Sequence, residues 1–159
     1  MLYLITSFSH LFYYYIWNHR EHFIFFAEHY NLSPIKLITY LGFTQKILQF
    51  IFIYLQSINN NTLIPYFENL NIGNIILIII GQILNISVYY KLGTKGVYYG
   101  NIFGLNLPYI NTFPYNIGIK NPQYTGCILT LCGLYPLISF EYIIYSSTLY
   151  HFTIYIESE

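Results

Sequence analysis

Long apolar segments with almost no charge leave this sequence few ways to fold in water. Residues 72–90 carry no charged side chain, and positions 75–80 are an unbroken run of Ile and Leu. Across the 159 residues, charged side chains make up 8% and hydrophobic ones 55%. A soluble domain carries about 25% charged residues. A body this small must present much of its area to the surroundings, and six Lys or Arg with six Glu cannot cover that area. The apolar surface therefore faces lipid, and the expected architecture is an all-α, polytopic membrane bundle formed by one domain over residues 1–159.

The balanced charge also excludes some functions. No basic patch of the kind that neutralises phosphates is present, which argues against a nucleic-acid partner. Cys127 and Cys132 match no metal-ligand spacing and are expected as buried free thiols. The first apolar segment lacks a basic leader and a small-residue cleavage site, so it is expected to be retained.

About four apolar segments stand out against the roughly 20 residues of a spanning helix. The first, 2–17, is short and aromatic, so it either spans, lies in the interface or re-enters. The second, 35–55, follows Pro34, a residue suited to a first helical turn. It holds Lys46, which must face other helices or extend toward head groups. The third is 72–90, and the Asn-rich stretch between the two, 57–71, is expected to be a water-exposed loop. The fourth, 124–156, is too long for one span and too short for two. Gly133, Pro136 and Glu141 interrupt it, so it is a shallow hairpin or an interfacial piece followed by one span.

Between Lys91 and Gln123 glycines and prolines recur among aromatics, too densely for regular helix. Non-helical backbone at membrane depth must be buried in protein or line a wet cavity. The segment is thus either a binding site or an interfacial aromatic belt.

Phosphate loops, zinc spacings and dinucleotide fingerprints are absent. The five histidines form no metal motif. Arg20, beside His19 and His22, could meet a lipid phosphate, with an interfacial polar cap as the alternative. Gln82, Asn85 and Tyr89 share one helical face bordered by Gly81. That stripe should face the interior, either toward a ligand or as helix–helix glue.

What remains is an ordered series of short motifs: Gly81-Gln82-Ile83-Leu84-Asn85, Val88-Tyr89, Leu92-Gly93, Gly96-Val97-Tyr98-Tyr99-Gly100 and Phe103-Gly104. Pro108-Tyr109, Phe113-Pro114-Tyr115, Asn121-Pro122-Gln123-Tyr124-Thr125-Gly126 and Glu157-Ser158-Glu159 follow. From residue 74 onward this order resembles the phospholipid N-methyltransferase family, in its short plant-type form. The resemblance implies S-adenosyl-L-methionine as methyl donor, a membrane phospholipid as substrate, and no metal. It points to Gly81, Asn121, Pro122, Tyr124, Gly126 and Glu157 at the cofactor. Ile79 and Ser158 depart from the animal-type pattern, in which a glycine and a second acid stand there.

For the substrate amine, Tyr98, Tyr99 and Gly100 are the candidates, with Arg20 toward the phosphate. Aromatic rings suit a sulfonium or an ammonium through cation–π attraction; core packing is the competing explanation. Glu157 and Tyr124 are candidate catalytic groups whose individual roles the sequence does not separate. The resemblance also implies residence in the endoplasmic reticulum or the mitochondrial membranes. An isoprenylcysteine carboxyl methyltransferase would share the cofactor site, and a non-enzymatic membrane protein would use the Gly/Pro-rich segment as architecture.

Overall fold

The computed structural model of the chain describes residues 1–107 and 109–157. Pro108, Ser158 and Glu159, which belong to two of the motifs above, lie outside the described residues. The elements are helices α1 (Leu2–Asn18), α2 (Arg20–His29), α3 (Pro34–Asn59), α4 (Leu63–Glu68), α5 (Ile72–Val97), α6 (Pro122–Gly133) and α7 (Phe140–Glu157), with a short 3₁₀ turn at Tyr115–Ile117. Local chemistry sets several starts. Ser33 is extended and Pro34 opens α3, as a residue with fixed φ and no N–H favours. The Asn71 side chain accepts the Asn74 N–H at 3.0 Å and caps α5.

Helices α3 and α5 each have 26 residues, or about 39 Å at 1.5 Å per residue, enough to cross a hydrocarbon core of about 30 Å. A core helix of a soluble protein would bury its apolar residues. These helices do the opposite: Ile76, Ile79, Ile80, Ile83 and Ile86 of α5, and Ile47, Phe50, Ile51 and Tyr54 of α3, are exposed. Such faces are stable against lipid tails.

The end of the bundle at which α5 finishes is called here the upper end. α1, α5 and α7 rise toward it, and α3 and α6 descend from it. The first segment is one helix lying parallel to α7, joined to it by Thr6 and Tyr142 hydroxyls 2.7 Å apart and by His10 Nδ1 to Thr153 Oγ1 at 2.8 Å. The fourth segment is a hairpin. α6 descends, the chain reverses through 134–139, and α7 returns, so that Glu157 finishes beside the start of α6. One buried cluster (Leu2, Ile53, Leu131, Tyr142, Ile143, Tyr150) joins the rising and descending helices, and a second (Ile16, Phe23, Ile38, Tyr98, Tyr99) closes the upper end.

Two expectations change. Helix α5 continues past Lys91 to Val97, because only Gly93, at φ 66°, leaves helical geometry. Glycine tolerates that angle, so the breaker bends the helix rather than ending it. The Asn-rich 57–71 stretch is not simply a wet loop. It contains α4, whose Tyr66 is buried and donates to the Gly133 carbonyl at 3.1 Å.

Helices α5 and α6 cross almost without side chains between them. A Cβ on Gly81 would lie 2.5 Å from Thr130 Oγ1 and 2.6 Å from the Gly126 carbonyl oxygen. A Cβ on Gly126 would lie 2.6 Å from the Gly81 carbonyl oxygen and 2.9 Å from Asn85 Nδ2. Amide side chains fasten the contact: Gln82 Nε2 donates to Thr130 Oγ1 at 3.0 Å, and Asn74 Nδ2 to the Gly133 carbonyl at 3.0 Å. Small residues and amides hold membrane helices together in this manner.

Candidate active site

At its upper end α5 stops in a way that aims a tyrosine. The Gly100 N–H donates to the Lys95 carbonyl at 2.8 Å, the closing bond of a Schellman cap. In such a cap the preceding residue is left-handed and usually glycine. Here it is Tyr99, at φ 60°. Gly100 itself is packed over Lys95, where a Cβ would meet the carbonyl oxygen at 2.6 Å. A bulky residue at positive φ costs roughly 1–3 kcal/mol and is retained where its side chain is needed.

The Tyr99 hydroxyl donates to Glu157 Oε1 at 2.5 Å, and the Tyr124 hydroxyl donates to the same oxygen at 2.5 Å. The two phenol oxygens are 3.4 Å apart. Three elements thus converge on one carboxylate: the cap of α5, the first turn of α6 and the last turn of α7. Burial, then the neighbouring carboxylate, hold the Tyr99 phenol well above its ordinary pKa, so it remains a donor at neutral pH. The Tyr13 and Trp17 rings of α1 each stand 5.6 Å from the Tyr99 ring, edge to face.

Spaces open on both sides of this cluster. Outside it lies a groove of about 530 Å³, lined by Trp17, Asn101, Lys120, Asn121, Gln123 and Glu157 among others. Inside lies a small chamber of about 60 Å³, walled by Tyr13, Tyr89, Tyr98, Tyr99, Tyr124 and Tyr150, with His10, Lys46 and Gln49. A third space, a cleft of about 310 Å³ between α3, α5 and α6, shares Lys46, Gln49, Tyr89, Gln123, Cys127 and Tyr150 with the chamber. Its outer rim includes the exposed Phe43 and Phe50, which face lipid. Groove, chamber and cleft therefore lie in series, with Gln123 common to all three.

The family model for phospholipid methyltransferases matches residues 70–158, more than half of the chain, from the start of α5 past Glu157. The chain belongs to the phospholipid methyltransferase family. Three curated relatives share the name phosphatidyl-N-methylethanolamine N-methyltransferase. The Arabidopsis thaliana protein is 41% identical over 83 residues, covering 52% of this chain and 50% of the relative. The Saccharomyces cerevisiae protein is 39% identical over 56 residues (35% of this chain, 27% of the relative) and the Schizosaccharomyces pombe protein 46% over 55 (34% and 26%). Each match thus spans half of the curated relative or less. No solved structure matches.

In this member of the family, the residues expected at the site divide into three groups. Tyr99, Asn121, Pro122, Tyr124 and Glu157 come together around the groove, and Tyr98 joins the chamber wall, where its hydroxyl accepts from Tyr89 at 3.1 Å. Gly81 and Gly126 face one another at the α5–α6 crossing, and Gly100 closes the cap; their contacts in the structure are with protein. Arg20 opens α2 on a separate groove of about 840 Å³, which has Trp17 in common with the Glu157 groove.

Sequence reasoning did not single out His10, Tyr13, Gln123 or Tyr150 for the site, and it placed Lys46 only as a charge facing other helices or extending toward head groups. A signal was present. Thr6, His10 and Tyr13 on α1, Gly42, Lys46 and Gln49 on α3, and Tyr150, Thr153 and Glu157 on α7 each recur at three- or four-residue spacing, the interval that keeps side chains on one helical face. All of these except Glu157 line the chamber.

Proposed function

We propose that this chain transfers methyl groups from S-adenosyl-L-methionine to the head-group amine of phosphatidyl-N-methylethanolamine and of its dimethyl product, forming phosphatidylcholine in the endoplasmic reticulum membrane. The observation that carries the proposal is the Tyr99–Tyr124–Glu157 cluster, set between an open polar groove and a tyrosine-walled chamber.

The groove suits the methyl donor by size and by donor set. Small-molecule sites typically enclose 300–1,000 Å³, and the groove holds about 530 Å³. Glu157 supplies a carboxylate for ribose hydroxyls or an α-ammonium, Lys120 and Asn121 supply donors, and Trp17 supplies a flat apolar face. S-adenosyl-L-methionine, when bound, supplies an electrophilic methyl on sulfur. The protein's contribution is positioning, which alone can lower a bimolecular barrier by roughly 7–11 kcal/mol.

Tyr99 and Tyr124 fix the Glu157 carboxylate at the wall shared by groove and chamber. The chamber rings suit a cationic sulfonium on one side and the methylated ammonium on the other. The amine lone pair forms the new N–C bond as the S–C bond breaks, and its electrons remain on the departing thioether. In the first transfer the proton of the secondary amine passes to a base; in the second the tertiary amine gives up its ammonium proton before it attacks, and the quaternary product has none to lose. Two bases border the path. Glu157 Oε1 already accepts from two phenols, whereas no group among the described residues donates to His10 Nε2. The Thr153 hydroxyl donates to the Leu149 carbonyl at 3.0 Å, so it accepts from His10 Nδ1 and leaves Nε2 bare.

Binding of labelled S-adenosyl-L-methionine to purified wild-type and Glu157→Ala protein tests the cofactor assignment. Loss of binding in a variant that still inserts and elutes as a single species is the expected result. Unchanged binding would refute it.

A further inference from the structure

Within the proposed reaction nothing yet accounts for Lys46. Its ammonium lies in the middle of α3, at the boundary of chamber and cleft, and donates to the Tyr150 hydroxyl at 2.7 Å. It also stands 5.3 Å from the centre of the Tyr150 ring. A phenol and a ring do not neutralise a cation. Glu157 lines the outer groove, and among the described residues no carboxylate lines either space that Lys46 borders. A cationic side chain at membrane depth is costly unless an anion or water compensates it.

The cleft shows where that anion would come from. It opens between α3 and α5 past Phe43 and Phe50, and Gln49, Gln82, Asn85 and Gln123 line it; the first three give their amide N–H groups to protein partners, and the Gln123 amide has none among the described residues. Apolar rim, amide lining and one cation at the inner end match the order of a phospholipid read from chains to glycerol to phosphate. Beyond Lys46 the chamber continues to Tyr99 and Tyr124. A phosphate at Lys46 would direct the amine, one two-carbon link further on, into that chamber and toward the Glu157 wall.

We propose that Lys46 binds the phosphodiester of a membrane phospholipid that enters sideways through the α3–α5–α6 cleft, so that the head-group amine is set at a fixed distance inside the tyrosine chamber. The proposal rests on the methyl-transfer reading for its purpose but not for its test. Positive charge beside the chamber also disfavours a protonated amine, which helps the nucleophile to be uncharged when it arrives.

Two measurements separate the site from the reaction. In the first, wild-type, Lys46→Met and Lys36→Met proteins are purified in mild detergent with phosphatidyl-N-methylethanolamine and weighed by native mass spectrometry. Lys36 lies exposed at the start of α3 and serves as the charge control. Wild type and Lys36→Met should retain one lipid per chain, and Lys46→Met should retain at least ten-fold less. Equal retention in all three, or a loss reproduced by Arg20→Gln with Lys46→Met unaffected, would overturn the proposal. If Lys46→Met lost S-adenosyl-L-methionine binding while keeping the lipid, the ammonium would serve the donor's carboxylate instead, and the proposal would fail.

The second measurement compares methyl transfer to phosphatidyl-N-methylethanolamine with transfer to a diacylglycerol ether bearing the same N-methylaminoethyl group and no phosphate. Wild type should favour the phospholipid by ten-fold or more in kcat/KM, and Lys46→Met should lose that preference, with partial recovery in Lys46→Arg. An equal fall on both acceptors would mark Lys46 as structural. Lysine-dependent lipid retention without methyl transfer to any lipid would refute the methyl-transfer reading and leave the lipid site standing.

Discussion

The α5–α6 crossing and the upper end of the bundle are built from similar residue types, yet they do different work. At the crossing, Gly81 and Gly126 bring two backbones so close that even a methyl group would strike carbonyl oxygen. Gln82, Asn85 and Asn74 spend their amides on protein partners there. At the upper end, Tyr99, Tyr124 and Glu157 gather polar atoms around open space, and three cavities meet at Gln123. On the proposed reading the motif glycines act on the site at a distance: by drawing α6 onto α5 they set where Tyr124 stands relative to Tyr99. A short-range motif can thus be essential to a site without touching what binds there.

This division can be broken first at the crossing, where the largest effect is expected. Gly126→Leu would have to displace the Gly81 carbonyl or Asn85, and both are held by the helix. Overpacking costs about 1–3 kcal/mol where a core can adjust; two rigid backbones adjust less. The expected outcome is loss of a monodisperse species on size exclusion in detergent, with ligand binding lost as a consequence. A well-folded Gly126→Leu protein that fails only to bind ligand would move this glycine from the packing region to the site.

At the upper end the order reverses, with binding lost and fold kept. Glu157→Gln should insert normally and lose S-adenosyl-L-methionine affinity by ten-fold or more, measured by equilibrium binding, in keeping with about 1.5–3 kcal/mol for hydrogen bonds to a charged group. Tyr99→Phe and Tyr124→Phe each remove one donor to the same oxygen. Each should weaken binding less than Glu157→Gln, and the double variant should approach it. Additive losses that exceed those of Glu157→Gln would show that the phenols contact ligand directly.

The smallest effect is expected from Gln82→Ala. It removes one interhelical hydrogen bond, worth about 0.6 kcal/mol on average in membrane bundles, and should shift thermal unfolding slightly while leaving transfer rates within two-fold.

Much of this was legible in the sequence. Long segments with almost no charge marked the lipid-facing helices, and Pro34 marked a helix start that the structure retains. The Gln82–Asn85–Tyr89 stripe, expected to face inward, lies at the edge of the packed face: Asn85 and Tyr89 are half-buried and Gln82 is exposed, and the buried face of this stretch is Gly81, Leu84 and Val88. The hairpin between α6 and α7 was one of two open choices, because Pro136 and Glu141 signal a break without fixing which way the chain leaves it. The position of Tyr99 was hidden for a different reason. A Schellman cap is ordinarily recognised by glycine at the left-handed position, and here the glycine follows one residue later. Lys46 and His10 were hidden because their partners lie 104 and 143 residues away in sequence, and only packing brings such residues together.

The central claim is tested most directly by incubating membranes that contain this chain with methyl-labelled S-adenosyl-L-methionine and, separately, the unmethylated, monomethylated and dimethylated phosphatidylethanolamines. Label entering the mono- and dimethylated lipids above the level of membranes carrying Glu157→Ala is the predicted result. No label in any of the three lipids, from a chain that binds the methyl donor, would contradict phospholipid methylation and direct the search to another acceptor.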